Sequence, residues 1–335
     1  MLKKITATVV LATMCFASAQ EVNIYSHRHY NTDKQLYKIF EKDTGIKVNV
    51  VKAKANELIK KLEVEGENSP ADILITSDAA RLYLAQNKDL LQKVSSKKLE
   101  RIIPENLRQE DGYWFGLTKR ARVIVYNKDK VDPSTLSTYD ALTDKKFKGK
   151  VLIRKASNIY NQSLLSSIIA NEGEKEATSW AKGMVKNFAR TPKGSDRDQM
   201  KAVAAGVGDV AVVNTYYVGK LLNSKKNKEV MVGKKMGVFF PNQNGNGAHI
   251  NISGAGVTKY SKNKQNAIKL LEFLVSPKAQ SLYAKTNYEY PVNPKVKPSK
   301  LLQSWGTFKE DTLSLESLGQ NNAKAVRIFN NVGWN

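Results

Sequence analysis

The sequence predicts an α/β protein of two lobes, with mixed sheets, helices on both faces and a hinge between the lobes. Three observations carry this. Short apolar strand-like runs alternate with amphipathic helix patterns, as in a mostly parallel sheet covered by helices. The chain has 335 residues, a length that favours two domains. No flexible tether divides it, so it is expected to cross between the lobes more than once, near Lys119–Tyr126 and near Ile250–Gly256. The lobes are then residues 20–120 plus 245–295, and residues 121–244 plus 296–335.

The elements follow in order. Val22–Tyr25 is a short apolar strand. Asn31, Thr32 and Asp33 supply helix-capping side chains, and Leu36, Ile39 and Phe40 share one face of the helix that runs to Lys42. Gly45 stops it. Ile46–Val51 alternates as a second strand, Ala55–Glu65 is a helix, and Ala71–Thr76 is a third strand ending at Ser77 and Asp78. Val123–Tyr126 is a strand, Thr138–Leu142 begins a short helix after Asp132-Pro133, and Val151–Arg154 is another strand. A helical stretch to Phe188 is broken at Gly173 and Gly183. Ser195 and Asp196 cap a helix to Ala205, and Val210–Val213 is a buried strand. Val218, Leu221 and Leu222 form the inner face of the helix after it. Residues 242–247 are a loop rich in Asn and Gly. Ile250–Val257 is a strand interrupted at Gly254 and Gly256, Asn263–Val275 an amphipathic helix ending before Pro277, and the tail is helical and polar.

The amino terminus reads as an export signal. A basic start (Lys3, Lys4), an apolar run from Ile5 to Phe16 and Ala17-Ser18-Ala19 place the cut after Ala19; the run is too short to span a membrane. A lipidated start at Cys15 is the lesser reading, because Met14 is large for the position before it. Cys15 is the only cysteine, so the mature chain holds no disulfide, thiolate metal site or cysteine nucleophile. The net charge is +23, two units of it in Lys3 and Lys4. The lysines are scattered over helix faces and turns, with no nucleic-acid-binding motif. They read as a solvated surface, and no nucleic-acid partner is expected.

Chemistry concentrates in phenols at the junctions between strands and helices. Tyr216 and Tyr217 stand side by side after the Val210–Val213 strand, where open α/β sheets bind ligands. As a pair alone they suit packing as well as ligation. Tyr30 and Tyr160 occupy comparable junctions, and His29 precedes Tyr30. Helix N-termini carry positive partial charge and favour anions. No carboxylate-rich calcium loop is present, and the remaining histidines, His27 and His249, have no comparable companions. Several phenolate oxygens with one imidazole suit a hard, highly charged ion, and Fe³⁺ is the natural candidate.

Three stretches, Ile24–Tyr30, Asn158–Tyr160 and Asn214–Gly219, resemble the periplasmic ferric-ion-binding proteins of bacterial ABC importers. Gly116–Asn127 and Pro192–Gln199 support the resemblance, which runs over essentially the whole mature chain and is closest to the branch with four tyrosines and one histidine. It implies the type II periplasmic substrate-binding fold and Fe³⁺ as transported cargo. His29 would give an imidazole nitrogen, and Tyr30, Tyr160, Tyr216 and Tyr217 phenolate oxygens. Arg120 would offset surplus phenolate charge or hold an anion, and Lys220 would be a second nearby cation. The implied partner of a monomeric periplasmic protein is an inner-membrane ABC permease. Five protein ligands leave little open coordination, so a synergistic anion is not expected to be required. The same fold could hold an oxyanion or a polyamine instead. An exported enzyme is the weakest reading, since no Gly-x-Ser-x-Gly, His-Glu-x-x-His or dinucleotide motif occurs.

Overall fold

The computed structural model describes residues 20–334. The signal segment, the cut after Ala19 and Cys15 lie outside the described residues. The chain begins with strand β1 (Glu21–Ser26), helix α1 (Asn31–Thr44), β2 (Lys47–Lys52), α2 (Ala55–Glu65), β3 (Ile73–Thr76), α3 (Ala79–Asn87) and α4 (Lys97–Ile102). Then come β4 (Phe115–Asn127), β5 (Val151–Leu152), α5 (Ile159–Glu172), α6 (Glu174–Asn187), α7 (Asp196–Ala204), β6 (Val210–Asn214), α8 (Thr215–Leu222) and α9 (Asn227–Lys235). The last part holds β7 (Met236–Phe239), β8 (Ile250–Val257), α10 (Lys264–Leu274), α11 (Pro277–Thr286), β9 (Tyr290–Pro291), α12 (Lys300–Gln303), α13 (Glu316–Gln320) and α14 (Asn322–Asn331).

The strands run in the order β2-β1-β3-β8-β4-β6-β5, with β7 and β9 also paired to β4. β1 is parallel to β2 and β3, and β5 to β6, as βαβ crossovers require. β8 and β4 run against their neighbours, which makes the sheets mixed. β4 is the shared strand: Phe115–Ala121 pair with β8, and Arg122–Tyr126 pair with β6. Two hydrophobic clusters pack against these strands. The first holds Ile24, Leu36, Phe40, Trp114 and Leu271 and runs across the change of partner, since it also holds Val123, Val213 and Val218; the second holds Ile124, Leu164, Trp180, Phe329 and Trp334. In the second, Trp334 lies 4.6 Å from Phe329 and 4.8 Å from Phe188, ring centre to ring centre, so the carboxyl-terminal helix is tied down by aromatic packing.

Four local expectations change. The strand expected at Val123–Tyr126 is the end of the thirteen-residue β4; Lys119, Arg120 and Arg122 mask its apolar pattern. β8 is not interrupted. Gly254 and Gly256 are there for close packing, since a Cβ on Gly254 would lie 2.7 Å from both Leu82 Cδ1 and the Phe115 carbonyl, and one on Gly256 2.6 Å from the Tyr113 carbonyl. Gly183 does not break α6. It gives room to Thr143, whose Cβ would stand 2.5 Å from a Cβ at 183. The short helix after Thr138 is a single 3-10 turn, Asp140–Thr143.

Candidate metal centre

Each phenol owes its place to a helix start. Tyr30 is the N-cap residue of α1; its backbone N–H donates to the Asp33 carboxylate at 3.3 Å, which closes the first turn. Asn158 caps α5 by accepting the Tyr160 N–H at 3.1 Å. Tyr216 and Tyr217 sit in the first turn of α8, which follows β6 without an intervening loop. The three helices therefore aim their positive ends where anionic oxygens would collect.

The structure brings the four phenols together. Tyr160 Oη and Tyr216 Oη are 3.4 Å apart. The Tyr216 and Tyr217 rings lie tilted by 33° with centres 4.1 Å apart, and Tyr30 meets Tyr216 edge-on at 6.4 Å. His29 lies beside them, its ring centre 4.9 Å from that of Tyr30, and is exposed while Tyr216 is buried. His27 stands apart from the set, with Nδ1 3.4 Å from the Ala53 carbonyl.

Cations surround this cluster. The Lys220 ammonium is 3.3 Å from the Tyr30 ring centre and 5.2 Å from that of Tyr216. Three guanidinium groups face Tyr160: Arg120 at 5.2 Å, Arg154 at 5.7 Å and Arg122 at 5.9 Å from its ring centre. Burial, then the neighbouring Tyr160 phenol, holds Tyr216 and Tyr217 well above the ordinary phenol range, and the same causes raise Tyr30. Burial lowers Lys220 to about 7. Tyr30, Tyr216 and Tyr217 are thus protonated at neutral pH until a cation replaces their protons. Four phenolates around a trivalent ion carry one net negative charge, which the surrounding cations offset.

Apart from Arg120, the sequence reading passes over the residues that hold the cluster in shape. Arg122 is buried and donates to Asp196 at 3.1 Å, to Asn214 Oδ1 at 3.2 Å and to Asn161 Oδ1 at 2.7 Å. Asp196 also accepts the Asn214 N–H at 2.8 Å. One guanidinium therefore ties the residue after Tyr160 to the strand end that leads into Tyr216. Arg28, next to His29, plays the matching part for Tyr30. It donates to Asp33 at 3.0 Å, to Ser253 Oγ at 2.6 Å and in a fork to both oxygens of Glu289, at 2.9 and 3.0 Å. Arg28 holds Glu289 at about 2 against the cost of burial. Arg120 donates to the Ser77 carbonyl at 3.2 Å and lies 3.5 Å from Asp78, which also accepts from Ser163 Oγ of α5 at 2.8 Å. A usable signal was the presence of charged residues within the apolar stretch of β4, because a charge buried there needs a partner.

His249 also lies near these arginines but acts on stability. It is buried, and desolvation together with Arg122 and Arg120 lowers its imidazole to about 3. The unfolded chain takes up this proton below about 6.5, whereas the folded chain does so only near pH 3. The contribution of His249 to stability is therefore present above pH 6.5 and lost as pH falls towards 3, by up to about 5 kcal/mol. His249→Gln is expected to flatten this acid limb when melting temperature is followed against pH. An unchanged limb would contradict the assignment.

Comparison with known proteins gives the family of the chain. Residues 35–310 match the bacterial extracellular solute-binding protein family. Iron uptake protein A1 of Synechocystis sp. is 52% identical over 315 residues, which are 94% of this chain and 88% of that protein. A Trichodesmium structure solved in complex with iron and citrate superposes with a TM-score of 0.92 at 51% identity, covering 94% of this chain and all of that one. The ferric binding protein of Campylobacter jejuni gives a TM-score of 0.89 at 50% identity, over 94% of this chain and the whole of its own. The fold is thus the two-lobed one of periplasmic solute-binding proteins, and the chain belongs to the bacterial extracellular solute-binding protein family, among its ferric-ion-binding members.

Proposed function

We propose that this protein captures ferric iron in a cleft between two lobes and delivers it to an inner-membrane ABC permease. The phenolates of Tyr30, Tyr160, Tyr216 and Tyr217 and the imidazole of His29 bind the ion. Arg120 and Lys220, joined by Arg122 and Arg154, balance the charge. The observation that carries the reading is the convergence of four phenols from three distant segments, with Tyr160 and Tyr216 oxygens 3.4 Å apart. Hard anionic oxygen donors of this kind select a hard trivalent ion. The protein is a capture device rather than a catalyst: a coordination sphere filled by side chains leaves no open position for a reacting group.

Residues 20–120 plus 245–295 form one lobe and 121–244 plus 296–335 the other. The change of partner along β4 at Ala121 and Arg122 supports a hinge there. Tyr30 and His29 then come from one lobe and the other three phenols from the second, so the ion holds the closed form and shifts the population towards it. The mature chain starts at Gln20, works as a monomer in the periplasm and needs no bound anion to hold iron.

The test is optical. Iron-free protein titrated with ferric nitrilotriacetate is expected to develop a visible tyrosinate-to-iron charge-transfer band that saturates at one iron per chain. The band should form equally in bicarbonate- and citrate-free buffer. A colourless protein that retains no iron after gel filtration would refute the proposal.

A further inference from the structure

The geometry points to Tyr288 as a positioning residue that sets how closely α8, with Tyr216 and Tyr217, seats against the Tyr30 loop when the lobes close. The inference deepens the ferric-capture reading and rests on it.

Tyr288 follows α11 and is a non-glycine residue in the left-handed backbone region, with φ of 58°. Such a conformation is uncommon outside Gly, Asn and Asp and is held only where the surroundings impose it. Two contacts do so. Tyr288 packs directly on the backbone of α8 at Gly219, where an added Cβ would lie 2.6 Å from both Cβ and Cγ of Tyr288 and 3.0 Å from its Cδ2. The next residue, Glu289, is buried and forks onto Arg28, whose neighbours in sequence are His29 and Tyr30. The Asn287 side-chain amide also bonds to Glu289. Residues 287–289 thus touch two of the three ligand-bearing elements at once: the Tyr30 loop through Arg28, and α8 through Gly219.

α8 and α11 belong to opposite sides of the cleft. α11 packs on β9, α1 and α10, whereas α8 packs on α9, α7, β6 and the shared strand β4. On the proposed division into lobes, the Tyr288–Gly219 contact is one that closing makes and opening breaks. A glycine inside a helix is itself costly relative to alanine, so Gly219 favours close approach of the Tyr288 ring over helix stability. With that approach, the Tyr216 and Tyr217 oxygens arrive where Tyr30 and Tyr160 can share an ion with them. A wider gap separates the two halves of the ligand set.

The experiment compares the wild type, Gly219→Ala, Tyr288→Gly and the double variant, each as the full mature chain. Readouts are iron affinity by competition with citrate, the visible charge-transfer band, the change in radius of gyration on iron addition, and the melting temperature without iron. Gly219→Ala is expected to match or exceed the wild-type melting temperature without iron, yet to bind iron at least about tenfold more weakly and to compact less on loading. Tyr288→Gly, which suits the positive φ, is expected to restore the affinity of the double variant to within about threefold of wild type. Alone it should weaken binding about threefold, because α8 loses its stop. Wild-type affinity in Gly219→Ala, or a loss that Tyr288→Gly does not rescue, would overturn the assignment. So would a Tyr288→Gly protein with unchanged affinity and spectrum, which remains informative if Gly219→Ala fails to fold. A wild type that binds no iron would instead refute the ferric reading itself.

Discussion

Replacing Tyr216 by Phe is expected to lower ferric-iron affinity by at least about a hundredfold and to weaken and shift the charge-transfer band, with no loss of fold. Removing a group that merely orients a metal ligand costs about 10–100-fold in affinity, and Tyr216 is placed as a ligand at the centre of the set. Its oxygen lies 3.4 Å from that of Tyr160, and its ring touches those of Tyr30 and Tyr217. The phenol is buried and held protonated by that burial and its neighbours, so loss of the hydroxyl costs the iron-free protein little. Tyr217→Phe is expected to behave alike, since it follows Tyr216 on the first turn of α8. Competition with a chelator of known ferric affinity, combined with visible spectra, checks both. A full-strength band in either variant would remove that residue from the ligand set.

Replacing Arg122 by Ala is expected to have the largest effect on stability. Arg122 and Asp196 are 1% and 0% exposed at their side chains. Removing one member of a buried ion pair leaves the other charge without compensation and costs about 3–5 kcal/mol. Arg154, 3.4 Å from the other Asp196 oxygen, retains part of the pairing, so the loss should fall near the lower figure. The variant also loses the hydrogen bonds to Asn161 and Asn214, and iron affinity should fall with stability because Tyr160 and Tyr216 are no longer held in register. Arg122→Lys is not expected to rescue it, since one ammonium lacks the geometry to reach three acceptors in the way the planar fork does. Urea unfolding of the iron-free protein checks the first effect. A wild-type midpoint for Arg122→Ala would contradict it.

The placement of the phenols was legible because it is local. Tyr30, Tyr160, Tyr216 and Tyr217 stand where apolar strand-like runs give way to capped, amphipathic helices, and that pattern needs only a few neighbouring residues. That they meet was an inference from their company, and the structure sets their side chains close to one another. What holds them in place was hidden by distance along the chain. Arg28 meets Glu289 from 261 residues away, and Arg122 meets Asn214 from 92. No periodicity links such partners. The glycines misled for a related reason. Gly183, Gly254 and Gly256 read as interruptions, but each is required by a neighbour remote in sequence that leaves no room for a side chain. His29 is the reverse case: its position beside Tyr30 was plain, while its exposure depends on how the lobes surround it.

The most direct test is crystallographic. Crystals of the iron-loaded protein, measured on both sides of the iron absorption edge, are expected to show one strong anomalous peak per chain. The peak should lie among the oxygens of Tyr30, Tyr160, Tyr216 and Tyr217 within about 2 Å of each, the reach of a hard oxygen ligand, with the His29 imidazole turned towards it. An anomalous peak elsewhere, or one that touches fewer than three of these phenols, would contradict the account.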